Sequence, residues 1–285
     1  MIVITGAGGK TGRAVVRALA KLGEPVRALI RRPEQSEPLR ALGALETVVG
    51  DLSDSASLAA VMEGAGACYH ICPNVHPDEI AIGAGVIEAA TLAGTERMIF
   101  HSVLHPQTRA MPHHWAKLQV EEKLFESNLD FVILQPCAYM QNIEAQWESI
   151  SESGIYSVPY GLSTRISIVD LEDVAQIAAL ALTEPDHAGA TYEICGPEAL
   201  SQIEVAEILS VRIGRPVEPV VEPIEKWIER ARGAGLAETA VSTLSQMFRY
   251  YDLHGFWGSP RAAETLLQRP PASFEQYLER YLSAI

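Results

Sequence analysis

Ile2-Val3-Ile4-Thr5-Gly6-Ala7-Gly8-Gly9-Lys10-Thr11-Gly12-Arg13 is the stretch whose reading decides the fold. Three β-branched residues open it and form a short buried strand. The glycines then fall at Gly6-x-x-Gly9-x-x-Gly12. Glycine at these places lets the backbone turn sharply, approach a pyrophosphate and pack the next helix on the sheet. Lys10–Leu22 carries Val15, Val16, Leu19 and Leu22 at helical spacing, so the loop opens a helix. The N-terminus of that helix offers N–H donors and a partial positive charge. Strand, loop and helix in this order point to a dinucleotide site built from Gly6, Ala7, Gly8, Gly9, Lys10, Thr11 and Gly12. The competing reading is a tight structural turn. Counting removes two other motifs. A phosphate-binding P-loop would need glycine where Ile4 stands, and strict G-x-G-x-x-G would need it at Thr11.

Outward from this stretch, strands and helices alternate. Val26–Ile30, Glu46–Val49, Ala67–Ile71, Arg97–Ser102 and Phe131–Leu134 read as strands. Between them lie helices near Glu37–Leu42, Ser55–Met62 (capped by Ser53 or Asp54), Glu79–Ala93 and His114–Ser127. Mostly apolar strands alternating with helices predict an α/β fold, a doubly wound parallel Rossmann sheet covered on both faces.

The second half differs in texture. Asp170–Leu182 and Gln202–Ile213 read as helices and Thr191–Ile194 as a strand. From Pro223 the chain reads as helical, with Trp227, Leu236, Leu244, Met247, Phe248 and Tyr251 as core and Phe274–Leu282 as a final helix. The reading is two domains: residues 1–150 bind the dinucleotide, with 165–196 returning to that domain, and 151–285 form a smaller, mainly helical substrate or partner lobe.

The chain has 285 residues, 48% hydrophobic and 20% charged, as in an ordered globular protein. Its net charge of −14 repels phosphate backbones, so no nucleic-acid partner is expected. Cys68, Cys72, Cys137 and Cys195 lack zinc-ribbon spacing and read as reduced thiols, so no metal is expected. Met1 runs directly into the first strand, and no apolar run reaches the roughly 18 residues of a membrane span. The expectation is a cytoplasmic protein without a membrane partner.

The end of the second strand bears on cofactor choice. An NAD site places Asp or Glu there. This chain has Ile30-Arg31-Arg32-Pro33, and two guanidiniums suit the 2′-phosphate of NADP. The alternative is a solvated pair of arginines. Gly50-Asp51-Leu52 ends the third strand, where Asp51 and Leu52 address the adenine edge or Asp51 caps a helix.

With these residues in hand, the chain resembles the NmrA-like branch of the atypical short-chain dehydrogenases/reductases. Two further segments carry the resemblance. One is Ile168-Val169-Asp170-Leu171-Glu172-Asp173-Val174-Ala175; the other is His254-Gly255-Phe256 with Arg269-Pro270-Pro271-Ala272-Ser273-Phe274. The resemblance implies NADPH-dependent reduction of quinones, dyes or phenylpropanoid-like molecules, or a non-catalytic NADP sensor that regulates a protein partner.

Short-chain dehydrogenases use Ser followed by Y-x-x-x-K. Here Ser102 ends the fifth strand, and H-x-x-x-K places His113 at the Tyr position and Lys117 at the Lys position. Three readings follow. His113 relays the proton, or water protonates the product of a quinone or cationic dye, or the site binds cofactor without turnover. Lys117 contacts the nicotinamide ribose in all three. By the same resemblance Cys72, Pro73 and Pro136 line the cofactor, and Asn74, Ser102, Tyr139 and Asn142 face the substrate. Tyr139 reads equally as core. Trp147, Tyr156, Tyr160, Phe248, Tyr251 and Trp257 line a pocket or pack as core. The leading reading is an NAD(P)H-dependent oxidoreductase, NADP favoured, acting on a small aromatic, quinone-like or enone acceptor. Self-association and a protein partner stay open.

Overall fold

In β1 (Ile2–Ile4) all three side chains are buried, as an uninterrupted β-branched run requires when both faces of its strand are covered. α1 (Lys10–Lys21) buries Ala14, Val15, Val16 and Leu19, the stripe its spacing dictates. The computed structural model describes residues 1–285. Alternation continues through β2 (Val26–Ile30), α2 (Ser36–Ala41), β3 (Glu46–Val49), α3 (Ser55–Met62), β4 (Ala67–His70), α4 (Glu79–Leu92), β5 (Arg97–His101), α5 (Pro112–Phe125) and β6 (Asp130–Pro136). β7 (Ala138–Tyr139), β8 (Ile155–Val158), β9 (Ile166–Val169), α6 (Leu171–Thr183), β10 (Ala190–Ile194), β11 (Ala199–Leu200), α7 (Gln202–Ile213) and β12 (Glu218–Val221) follow. The chain ends in α8 (Ile224–Gly233), α9 (Glu238–His254), α10 (Arg261–Leu267) and α11 (Phe274–Ala284).

The chain divides into two units. The first holds Met1–Gln107, His113–Gln135 and Val174–Tyr192; the second holds Thr108–Pro112, Pro136–Asp173 and Glu193–Ile285. The main sheet has seven strands in the order β10-β6-β5-β4-β1-β2-β3. β1 pairs in parallel with β2 on one side and with β4 on the other, Ile4 facing Ala28 and Tyr69. Strand order therefore reverses between β1 and β4, and sheets of this class bind ligands outside the carboxyl ends at such a reversal. On one face Leu58, Val61 and Met62 of α3, Val86 and Ala90 of α4, and Val120 and Leu124 of α5 pack on Val3, Cys68, Met98, Phe100 and Ile133. Burying a side chain such as Phe100 contributes ~1.5–3 kcal/mol. All four cysteines are free and buried. No helix is long and apolar enough to cross a membrane.

The second unit contains a three-stranded sheet, β11-β9-β7, and the parallel pair β12–β8. The sequence reading has none of these strands. Each is four residues or shorter, below the length at which periodicity separates strand from loop, and tertiary pairing makes them. Ile150, Tyr156, Val158, Leu209, Phe274 and Leu278 form its core. A smaller cluster joins Trp227, Ala231 and Val241 with Phe248 against them. Leu236, read as core, is 39% exposed, because it lies in the turn between α8 and α9. Asp173 ties the two family-like segments together: its carboxylate accepts from Arg269 Nη2 at 2.6 Å and from the Ala272 N–H at 2.7 Å.

Candidate functional site

Gly6 adopts φ +60°, and a Cβ there would stand 2.6 Å from the Ile71 carbonyl oxygen. At Gly12 a Cβ would stand 2.5 Å from the Gly6 carbonyl oxygen and 2.6 Å from Ala7 Cα. Backbone against backbone leaves no room for a side chain at either position. Gly9, the N-cap of α1, is open by comparison, with only the Gly6 oxygen at 3.4 Å from a built Cβ. No side chain caps this helix start, and its first turn holds no acidic residue. Ala7 and Thr11 are buried and Lys10 is exposed. A helix start without a competing carboxylate, under a loop of glycines, fits a pyrophosphate.

Arg31 and Arg32 follow β2 and are exposed. Their backbone N–H groups both donate to Gln35 Oε1, at 3.1 and 3.0 Å. The other end of that amide lies over the glycine loop, since a Cβ on Gly8 would come within 2.0 Å of Gln35 Nε2. Asp51 accepts from the N–H and hydroxyl of Ser53 at 2.8 and 2.7 Å, which holds its carboxyl below the usual range. Asp54, not Asp51, caps α3, accepting from the Ser57 N–H at 2.8 Å. Leu52 beside them is half-buried.

At the strand reversal the ends of β1 and β4 are joined by side chains. Thr5 Oγ1 lies 2.8 Å from His70 Nδ1 and accepts from the Ile71 N–H at 3.0 Å. Cys72 is buried, Pro73 half-buried and Asn74 exposed. Burial and the charge of Glu79 push the Cys72 thiol up.

His113, Lys117 and Glu121 stand four residues apart on α5 and so share one face. Lys117 Nζ donates to Glu79 Oε1 at 2.9 Å and to the His101 carbonyl at 3.3 Å. It also lies 5.4 Å from the Phe100 ring centre. Ser102 is buried, and its hydroxyl donates to Glu121, so the oxygen read as a substrate contact is engaged inside the unit. Gln135 Nε2 donates to both Glu121 oxygens, at 2.9 and 3.1 Å, while burial raises the Glu121 pKa. Besides His113, three more histidines lie within reach of the Lys117 charge. Burial first, aided by the Lys117 charge, pushes His70 and His101 down to about 3 and His113 down to about 4. Burial and the neighbouring His113 bring His114 to about 3. All four are neutral near pH 7. Sequence reasoning missed Glu79, Glu121 and Gln35; an acid in the first turn of a helix is ordinary, so no local signal marked Glu79.

Pro136, Tyr139 and Asn142 belong to the second unit. Pro136 is buried at the end of β6. Tyr139 is half-buried in β7, opposite Val169, and Asn142 is exposed. Most of the aromatic pocket candidates are core within that unit. Tyr156 donates its hydroxyl to Gln202 at 2.6 Å, Tyr251 stacks on Phe256, and Trp147 packs edge-on to Tyr281. Trp257 is 61% exposed. No group of three His, Cys, Asp or Glu side chains is placed to hold a metal ion.

A parallel sheet of this strand order, with a glycine loop and an uncapped helix start at its reversal, defines the dinucleotide-binding class of Rossmann proteins. The pattern of the NmrA-like family matches residues 1–278, and the chain belongs to that family. It is 29% identical to the NAD(P)H azoreductase of Xenophilus azovorans, over 100% of this chain and 99% of the relative. Two solved structures share the fold, each at 23% identity and a TM-score of 0.86. The Escherichia coli NADPH-dependent quinone oxidoreductase complexed with NADPH aligns over 99% of this chain and 100% of its own. The Citrobacter triphenylmethane reductase complexed with NADP(H) aligns over 98% and 99%.

Proposed function

We propose that this chain is a cytoplasmic NAD(P)H-dependent reductase, NADPH preferred, whose acceptor is a small aromatic, quinone-like or enone molecule. The observation that carries the reading is the glycine cradle at the strand reversal, in the same unit as Lys117. Membership of a family that includes an azoreductase supports it. Bound NADPH supplies a hydride. The loop Gly6–Gly12 and the start of α1 bind the pyrophosphate, while Arg31 and Arg32 hold the 2′-phosphate. Lys117 donates to the ribose hydroxyls. His113 is neutral at pH 7 and has no proton to spare as an acid, which favours acceptors whose reduced form takes its proton from water.

The test is NADPH oxidation with azo dyes, quinones, triphenylmethane dyes and enones, beside a calorimetric NADPH titration. Turnover with at least one class is the expected result. Tight NADPH binding without any turnover would favour the non-catalytic sensor instead, and failure to bind NADPH would overturn the reading.

A further inference from the structure

We propose that Glu79 is a positioning residue for the cofactor, holding the Lys117 ammonium so that its remaining N–H is presented to the nicotinamide ribose. The inference deepens the function proposed above and rests on it.

Glu79 is the first residue of α4 and only 2% exposed. A carboxylate is seldom buried so completely without a partner, because losing its hydration is costly. Its partner is Lys117, whose side chain is 12% exposed. An ammonium carries three donors and no acceptor. Glu79 Oε1 and the His101 carbonyl take two of them, which leaves one. The Phe100 ring lies beside the same ammonium, so Lys117 of α5 is held by α4 through Glu79 and by β5 through Phe100 and His101.

The electrostatic surroundings give Glu79 a special part. His70, His101, His113 and His114 are neutral, and the Cys72 thiol is kept protonated. Glu121 lies one turn along α5, but its oxygens are occupied by Ser102 and Gln135. Glu79 is thus the carboxylate in direct contact with Lys117. A buried ion pair adds little net stability compared with apolar packing, so a role in the fold alone is a weak reason for it.

The experiment compares the parent with Glu79→Gln, Glu79→Ala, Lys117→Met and the double variant Glu79→Ala/Lys117→Met. Two ligands are titrated, NADPH and adenosine 2′,5′-bisphosphate, which has the adenine half and the 2′-phosphate but no nicotinamide ribose. Glu79→Ala should weaken NADPH about tenfold or more, the scale of one charged hydrogen bond, and the bisphosphate less than about twofold. Glu79→Gln, isosteric but uncharged, should fall between parent and Glu79→Ala. The double variant should bind NADPH no more weakly than Lys117→Met, because both changes remove one contact. Parental NADPH affinity in Glu79→Gln and Glu79→Ala overturns the proposal. So does equal loss of both ligands, or multiplication of the two single losses. If Glu79→Ala fails to fold, the two titrations of Glu79→Gln decide alone. A parent that binds neither ligand overturns the cofactor reading itself, a result distinct from all of these.

Discussion

His113 stands one helical turn before Lys117, and burial together with the Lys117 charge pushes its imidazole down to about 4. In the proposed site His113 therefore takes the place of the short-chain dehydrogenase Tyr as a neutral imidazole, not as an acid. At pH 7 this imidazole is neutral, and its Nδ1 is buried without a partner. His113→Gln should cost less than about tenfold in turnover of a quinone or dye, far below the ~10²–10⁴ of a lost general acid. The pH profile of the parent should survive the substitution. Steady-state rates from pH 5 to 9 check this, and a hundredfold loss with NADPH binding unchanged would refute it.

The same histidines make the fold acid-sensitive. His70, His101, His113 and His114 have folded-state values of about 3 to 4, below the ordinary 6.5. As the pH falls, the unfolded chain takes up their protons first. Their contribution is thus fully present above pH ~6.5 and is lost progressively between ~6.5 and ~3, His113 levelling off near ~4, at up to about 1.4 kcal/mol per pH unit for each histidine. Urea unfolding at half-unit steps should show this slope, and His113→Gln should reduce it by about one proton. A stability that stays flat from pH 6.5 to 4.5 would sink the idea.

Cofactor choice should follow the end of β2. NADPH should bind at least about tenfold tighter than NADH, a difference of about 1.4 kcal/mol. Arg31→Ala with Arg32→Ala should abolish the preference. Gln35→Ala should weaken it, since that side chain accepts the N–H groups of both arginines. Calorimetry with both cofactors checks all three variants, and an unchanged preference in the double alanine variant would reject the assignment.

What was legible in the sequence is local. Gly6, Gly9 and Gly12 sit in one loop, Arg31 directly after a strand, and His113 and Lys117 one turn apart, so spacing alone relates them. Glu79 is 38 positions from Lys117, and its contact is made only when α4 and α5 pack on the sheet. Their close approach depends on Gly83, where a Cβ would stand 2.6 Å from Val120 Cγ1. The Gln35 contact to Gly8 is hidden for the same reason. Ser102 was read by its place after β5, but the sequence does not show that Glu121 waits behind it. In the second unit, Asp173 and Arg269 were visible as separate family-like segments, and only folding shows them as one clasp.

The glycine loop separates folding from binding. Gly12→Ala puts a methyl against the Gly6 carbonyl and Ala7 Cα, backbone atoms that cannot swing aside. It should cost ~1–3 kcal/mol of stability, as overpacking does, and abolish NADPH binding. Gly9→Ala meets only one atom at 3.4 Å and has φ −80°, which alanine adopts freely. It should fold with near-parental stability yet lose cofactor affinity, because the methyl stands over the loop. Thermal unfolding paired with NADPH titration distinguishes the two, and equal destabilisation would show that the packing argument is wrong.

The Asp173 clasp should govern the second unit. Its side chain is 3% exposed, whereas Arg269 is 45% exposed, so the two partners respond differently to truncation. Asp173→Ala leaves the buried Ala272 N–H without its acceptor at a cost of ~1–3 kcal/mol, while Arg269 regains water. Arg269→Ala leaves a buried carboxylate served by that N–H alone, and desolvation makes this at least as costly. Asp173→Asn keeps an oxygen for Ala272 and should lose least. Asp170 and Arg280 form a second tie nearby in sequence, between the residue before α6 and α11, so Arg280→Ala should add to Arg269→Ala. Chemical denaturation of the five variants gives the order. If Asp173→Ala lies within about 0.5 kcal/mol of the parent, the range of an ordinary surface change, the clasp holds nothing together.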